Sequence, residues 1–294
     1  MDQPASNLPK AALWMLGAIA SFSLMAVAGR KVGAELDTFE LMTYRSFISI
    51  ALVLGIGGMA GTLGQISTRN FKLHIARNVS HFAGQNLWFA AITMIPLAQV
   101  IALEFTSPIW VAILAPFFLS ERLTRLRLFV AVLGFIGILI VARPDFANLE
   151  LGAIFAAGSA IGFAGSAIFT KILTRHHSIT CILFWLAVMQ AVFGLVCAGY
   201  DGDIAWPSTA LIPWVIIVSC TGLAAHFCLT SALTEAPAVT VMPLDFARLP
   251  VVALLGMLIF GEALDPFVFI GAAIIFGANY LNIAAEARRS RALT

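Results

Sequence analysis

The sequence predicts an all-α membrane protein: ten transmembrane helices in two inverted five-helix repeats around a central cavity. Three observations carry that prediction: the composition, a series of ten apolar runs, and an internal repeat at a shift of 141 residues. Of the 294 residues, 61% are hydrophobic and 11% charged, with a mean hydropathy of +0.97. A water-soluble chain carries roughly 25% charged residues, so this one lacks the ions to cover a solvated surface. Its 17 Lys and Arg against 15 Asp and Glu leave a net charge of +2, too balanced for a nucleic-acid binder.

A helix crossing the hydrocarbon core needs about 20 apolar residues, and the runs that qualify, cut at Pro, Gly and charged clusters, lie at 11–30, 38–61, 72–95, 97–118, 125–143, 150–171, 178–199, 209–233, 238–260 and 266–285. The first follows Lys10 and reads as an uncleaved span, because so many further runs follow it. Residues 78–103 contain no charge, and the cut between spans three and four falls at Ile95-Pro96, where proline resists helix continuation.

Basic residues set the topology, since Lys and Arg near membrane ends stay mainly on the cytoplasmic side. With the N-terminus inside, that side holds Lys10, Arg69, Lys72, Arg77, Arg122, Arg125, Arg127, Lys171, Arg175, Arg288, Arg289 and Arg291. The other side receives only Arg30, Lys31 and Arg143. Both termini are therefore expected in the cytoplasm.

The repeat places Ala91, Thr93, Pro96, Val100, Leu103, Phe105, Val111, Glu121 and Leu123 on identical residues at Ala232, Thr234, Pro237, Val241, Leu244, Phe246, Val252, Glu262 and Leu264. Glu104 meets Asp245 in the same register. The expected units are 1–146 and 147–294. Five is odd, so the second unit must enter the membrane from the opposite side. The loops agree: Arg122, Arg125 and Arg127 follow span four, whereas the counterpart loop after span nine has no basic residue. Inverted repeats are a common construction of secondary transporters, with the substrate site near the midplane.

The duplication, together with Glu121-Arg122-Leu123-Thr124 after span four and Gly261-Glu262-Ala263-Leu264-Asp265 after span nine, resembles the ten-span EamA-type branch of the drug/metabolite transporter superfamily. The resemblance covers nearly the whole chain. One departure is Val130, where such repeats carry glycine, as Gly271 does in the second copy. Within the superfamily the chain looks most like bacterial amino-acid exporters of the YddG type. That implies a basket of ten helices in the bacterial inner membrane, exporting neutral and aromatic amino acids by alternating access. Relatives in the superfamily carry nucleotide-linked sugars, drugs or polyamines, which stay open as alternatives.

An ionisable group within a span costs roughly 2.5–3.5 kcal/mol on insertion scales and normally faces protein or water. Such groups are Arg45, His81, Glu104, His226, Asp245 and Arg248. Arg45 and Glu104 each lie seven residues from the outer start of their spans, roughly 10 Å deep, and are expected to be able to pair. Asp245 and Arg248, three apart, lie on neighbouring faces of one helix. Such pairs would serve either as gates of the cavity or as static ties between helices.

Asn78, His81, Gln85 and Trp88 recur at spacings of three and four and should line one inward face of span three. Ser159, Phe163, Ser166 and Thr170 repeat the pattern on span six, where interhelical hydrogen bonds are the alternative use. Ser107 and Trp110 in span four and Trp185 in span seven complete the expected cavity, the indoles suiting aromatic or aliphatic substrate groups. Pro108, Pro116, Pro243 and Pro250 make spans four and nine the expected hinges. Gly158 and Gly162 form a small-residue face for a close helix contact. Trp206 and Trp214 suit the membrane interface.

No zinc-binding H-E-x-x-H, nucleophile elbow or phosphate-binding loop is present, which argues against an enzyme or an ATP-driven pump. Cys181, Cys197, Cys220 and Cys228 lack metal or disulfide spacing and are expected to be small buried residues. The expected partners are a small-molecule substrate and the lipid bilayer, with no cofactor, metal or nucleic acid. His81 and the buried acids allow proton coupling without requiring it. A channel or scaffold is the competing class.

Overall fold

A computed structural model describes residues 7–118, 125–143, 150–200, 202–235 and 241–291. Each predicted span has its helix: α1 (Leu8–Val32), α2 (Thr38–Met59), α3 (Phe71–Met94), α4 (Leu97–Glu104), α5 (Ser107–Phe118), α6 (Arg125–Ala142), α7 (Leu151–Leu173), α8 (Ile179–Ala198), α9 (Ile212–Glu235), α10 (Arg248–Phe260) and α11 (Pro266–Arg291). A 3-10 segment, Met242–Ala247, leads directly into α10. By length and composition five described helices, α1, α2, α7, α8 and α9, are apolar enough to cross a membrane unaided. α3 is as long, but Lys72, His74, Arg77, Asn78 and His81 dilute its first half.

Local chemistry sets the boundaries. α2 opens on a capping box: Asp37 accepts from the Glu40 amide at 2.8 Å, and Glu40 accepts from the Asp37 amide at 2.9 Å. α3 stops at Met94 because Ile95 is extended (φ −130°, ψ 165°), as a residue before proline must be. The expected continuous span four is corrected here: it is two helices, α4 and α5, broken at Phe105 and Thr106. Pro108 has no amide hydrogen to continue the ladder. The Thr106 hydroxyl donates to the Leu103 carbonyl at 2.8 Å and so occupies a group the break exposes. Span nine is likewise interrupted, by its 3-10 segment, in which Pro243 sits in the first turn.

Packing repeats with the copies exchanged. α1 packs on α9 and α3 on α7, so the first helix of each copy lies against the third of the other. α2 meets α8 and α6 meets α11, each a helix against its own counterpart, while α4 meets α10, the counterpart of α5. Exchanging the two copies leaves the α1–α9, α3–α7, α2–α8 and α6–α11 contacts unchanged as a set, as a pseudo-two-fold axis requires. Phe105 and Phe246, matched by the 141-residue shift, touch edge to face with centroids 4.6 Å apart, which marks the axis. The close approach of α3 and α7 is made by glycine: a Cβ on Gly162 would lie 2.7 Å from Gly84 Cα. The Val130 departure costs α6 little, because Gly137 supplies the small residue opposite Gly271.

The three basic residues on the sparse face are all engaged. Arg30 pairs with Glu262, Arg143 pairs with Asp265, and Lys31 sits 5.2 Å over the Phe260 ring. Gly261, at φ 68°, turns the chain after α10. The turn folds Glu262 back so that its carboxylate also accepts from the Leu97 amide at 3.2 Å, capping α4 from the other copy. Glu121, its counterpart, lies outside the described residues. At the opposite face Lys10 pairs with Glu235 at 2.6 Å, joining the start of α1 to the end of α9. Cys181 is buried as expected, but Cys220 is exposed.

Candidate functional site

The centre of the bundle is filled largely by big side chains, including Trp88, Phe89, Ile101 and Leu249, and the cavity is narrow. Its polar wall comes from Arg45, Ser46 and Ser49 of α2, Gln190 of α8 and His226 of α9, with Leu183, Leu186 and Leu223 as the apolar wall. It is partly open, and its clear width admits little more than one water.

Arg45 is the charged group of this pocket and is only 5% exposed. Its Nη1 donates to Gln85 Oε1 at 2.5 Å and lies 3.6 Å from Met42 Sδ, while the guanidinium sits 5.9 Å from the Phe89 ring. Gly222 leaves it room: a Cβ there would come within 3.1 Å of Arg45 Nη2. Among the described residues its hydrogen-bond partners are thus a neutral amide and a thioether, and none is a carboxylate. The expected Arg45–Glu104 pair is not formed. Equal depth fixes height along the membrane normal and says nothing of direction around the helix, and Glu104 faces a different cation.

That cation is Arg248. Its Nη2 donates to Glu104 Oε1 at 2.7 Å and to Asp245 Oδ2 at 3.0 Å, the latter being the expected neighbouring pair. Phe22 and Phe105 flank the guanidinium at 5.0 and 5.2 Å. Glu104 and Asp245 are repeat counterparts, so the two copies contribute one acid each. The counterpart of Arg248 is Ser107, a neutral residue. Two acids therefore share one cation, and Asp245 Oδ1 is buried without a partner among the described residues.

The α3 stripe joins both centres. Gln85 holds Arg45, and Trp88, one turn further along, donates its indole N–H to Glu104 Oε2 at 2.8 Å. His81 lies 3.4 Å from Ser166 Oγ, and its ring is 5.3 Å from that of His226 and 5.9 Å from Phe163. Asn78, fully buried, accepts from Arg77 at 2.9 Å and donates to the His74 carbonyl at 2.9 Å. All four stripe residues are buried against protein, but none of them lines the pocket; of the expected cavity residues only His226 does.

Other expected cavity residues are placed elsewhere. Trp185 donates to the Ser67 carbonyl at 2.9 Å near the start of α3, packed on Phe71 and His74, which removes it from the pocket. Ser107 and Trp110 are half-buried on α5 and do not line the pocket. Pro108 sits at the α4–α5 break and Pro250 within the first turn of α10. The side chains of Pro116 and Pro243 lie outside those described. Sequence reasoning missed Ser46, Ser49 and Gln190. The signal was present, since the serines flank Arg45 at one and four residues and Gln190 is the lone amide of its span.

The EamA-like transporter family matches this chain twice, over residues 9–143 and 150–284. A riboflavin transporter of Brucella anthropi is 28% identical over 283 residues, covering 94% of this chain and 99% of its own. An S-adenosylmethionine uptake transporter of Rickettsia felis is 28% identical, covering 93% of this chain and 92% of its own. The pseudopaline exporter CntI of Pseudomonas aeruginosa is 28% identical over 182 residues, which is 60% of this chain and 63% of its own. A crystal structure aligns with a TM-score of 0.70 over 95% of this chain and 98% of its own; at 19% identity that shows the fold alone. The three named relatives are called transporters or exporters and not enzymes. The amino-acid exporters expected from the sequence are not among these relatives, and the shared identity is at the level of the family. The chain is therefore a multi-pass membrane transporter and belongs to the EamA-like transporter family.

Proposed function

We propose that the chain is a secondary carrier that exposes one midplane site to each side of the bacterial inner membrane in turn, exporting small zwitterionic metabolites, with neutral and aromatic amino acids as the preferred class. The observation that carries this reading is Arg45, buried in the pocket wall and held by a neutral amide. A buried cation is normally paired, and a substrate carboxylate would complete it. The complementary charge is on the other centre, where Asp245 Oδ1 stands ready for an ammonium group. Gln85 and Trp88, which hold the two centres, are separated by about 4.5 Å of helix rise, a span suited to a small zwitterion.

The relatives' names support a small organic substrate. S-adenosylmethionine itself ends in an α-amino acid, whereas riboflavin has no carboxylate, and its carriage is the second reading because of the 28% identity to a riboflavin transporter. Uptake and export both occur among those names, and outward flux of a metabolite made inside is the direction proposed here. Cytoplasmic termini follow from the basic residues counted above.

The test is counterflow into vesicles holding the purified protein, using labelled amino acids, S-adenosylmethionine and riboflavin, with and without an imposed pH gradient. Competitive uptake of carboxylate-bearing solutes is expected. Uptake of riboflavin alone would replace this reading with the second one. Stimulation by the gradient would establish proton coupling.

A further inference from the structure

A second cluster of chemistry-bearing side chains lies away from the pocket, where α3 and α8 begin. His74 is in the first turn of α3, His177 precedes the N-cap residue Ser178 of α8, and Cys181 is in the first turn of α8. One ligand atom from each of the three falls within 4.8 Å of the others. Cys181 Sγ is 3.6 Å from His177 Nδ1, and the two imidazoles are 5.0 Å apart at an interplanar angle of 71°.

Hydrogen bonding among the described residues accounts for only one of the four ring nitrogens, His177 Nδ1 beside Cys181 Sγ. His74 is 0% exposed, and neither of its ring nitrogens has a partner among the described residues; His177 Nε2 is also buried and unpartnered. Burying polar nitrogens unsatisfied is costly, and groups left so call for a ligand. The transporter reading uses none of the three, and the cysteine spacing alone gave no hint of a metal.

We propose that His74, His177 and Cys181 form a transition-metal site with Zn²⁺ as its ligand class, two imidazoles and one thiolate leaving a fourth position open. Zinc binds imidazole nitrogen at about 2.0–2.1 Å and thiolate sulfur at about 2.3 Å in a tetrahedron. Those bonds hold ligand atoms roughly 3.3–3.8 Å apart. The sulfur–nitrogen separation of 3.6 Å already fits, and the ligand atoms, all within 4.8 Å of one another, would have to draw together by up to about 1.5 Å to close on the metal. Ser67 supports the sulfur: its amide points at Cys181 Sγ at 3.4 Å, a bond that a metal-bound thiolate accepts.

The site joins α3 of the first copy to α8 of the second. Any motion of the two copies past one another at this face must stretch it, so bound metal staples them and slows transport.

The test begins with binding alone, which is independent of any substrate. Purified protein is equilibrated with Zn²⁺ against a competing chelator, and bound metal is counted after desalting. One ion per chain is expected, with at least a tenfold weaker affinity in Cys181→Ser and in His74→Asn. Co²⁺ in place of Zn²⁺ should give a thiolate charge-transfer absorption that disappears in Cys181→Ser. Elution profile and melting temperature of each variant confirm that it is folded; His177→Asn, at the membrane face, provides a milder substitution. Zinc bound equally by the wild type and a folded His177→Asn/Cys181→Ser variant, or no stoichiometric binding, would overturn the site. If binding holds, Zn²⁺ should slow counterflow in the wild type and leave Cys181→Ser unaffected; equal inhibition of both would remove the staple.

Discussion

Two arginines lie buried in the same bundle and are treated in opposite ways. Arg248 is clamped by Glu104 from the first copy and Asp245 from its own, while Arg45 is held by the amide of Gln85 within the first copy. A cation with two acids is satisfied and expensive to disturb. One with only a neutral partner keeps an unspent attraction for an anion. The difference separates a fastening between the repeats from the site proposed to receive a carboxylate, although both residues look alike as charges in apolar runs.

The largest expected effect breaks the fastening. Arg248→Met leaves two buried acids without their cation and should lower stability by about 3–5 kcal/mol, read as collapsed yield of monodisperse protein in detergent. Adding Glu104→Gln and Asp245→Asn to the same chain should recover most of that yield, since all three charges are then gone. Next, Arg45→Gln should leave folded yield and melting temperature near wild type or higher while weakening substrate binding. A charge-assisted hydrogen bond is worth about 1.5–3 kcal/mol, so counterflow of carboxylate-bearing solutes should fall roughly 10- to 100-fold. If Arg45→Gln unfolds the protein as Arg248→Met does, the contrast between the two sites disappears.

Smaller effects sharpen the same contrast at the sparse face. Glu262→Gln keeps the shape of the α4 cap but removes the charge that Arg30 meets, costing about 0.5–1 kcal/mol at this partly exposed site, visible as a small drop in melting temperature. Gly261→Ala should cost about 1 kcal/mol through its left-handed backbone alone. It should leave the substrate affinity of the folded fraction unchanged in the counterflow assay.

Most of the fold was legible because bilayer solvation forces long apolar runs and the repeat supplied register. Pro96 marked a helix end correctly, since a lone proline acts through its own backbone. Pro108 and Pro243 pointed to irregular backbone without revealing that both spans are divided, because whether a proline bends or ends a helix depends on what takes the freed carbonyls, here the Thr106 hydroxyl at the first break. The α3 stripe was readable as a face. Its partners were not, since periodicity fixes an azimuth on one helix and gives no azimuth of the next. For that reason Arg45 was matched by depth to Glu104 although Gln85 is its partner, and Trp185 was placed in a cavity it does not line. The proposed metal-ligand cluster was invisible for a related cause: His74 is 107 residues from Cys181, and only the packing of the copies brings such distant segments together.

One further consequence follows from Ser107 standing where the second copy has Arg248. In an inverted duplication, the inward-open and outward-open forms are images of each other under exchange of the halves, and identical halves would leave them degenerate. On the proposed alternating-access reading, a guanidinium on one side of the axis and a hydroxyl on the other contributes to lifting that degeneracy and biases the empty carrier toward one orientation. Exchanging the pair, Ser107→Arg with Arg248→Ser, should turn that preference around.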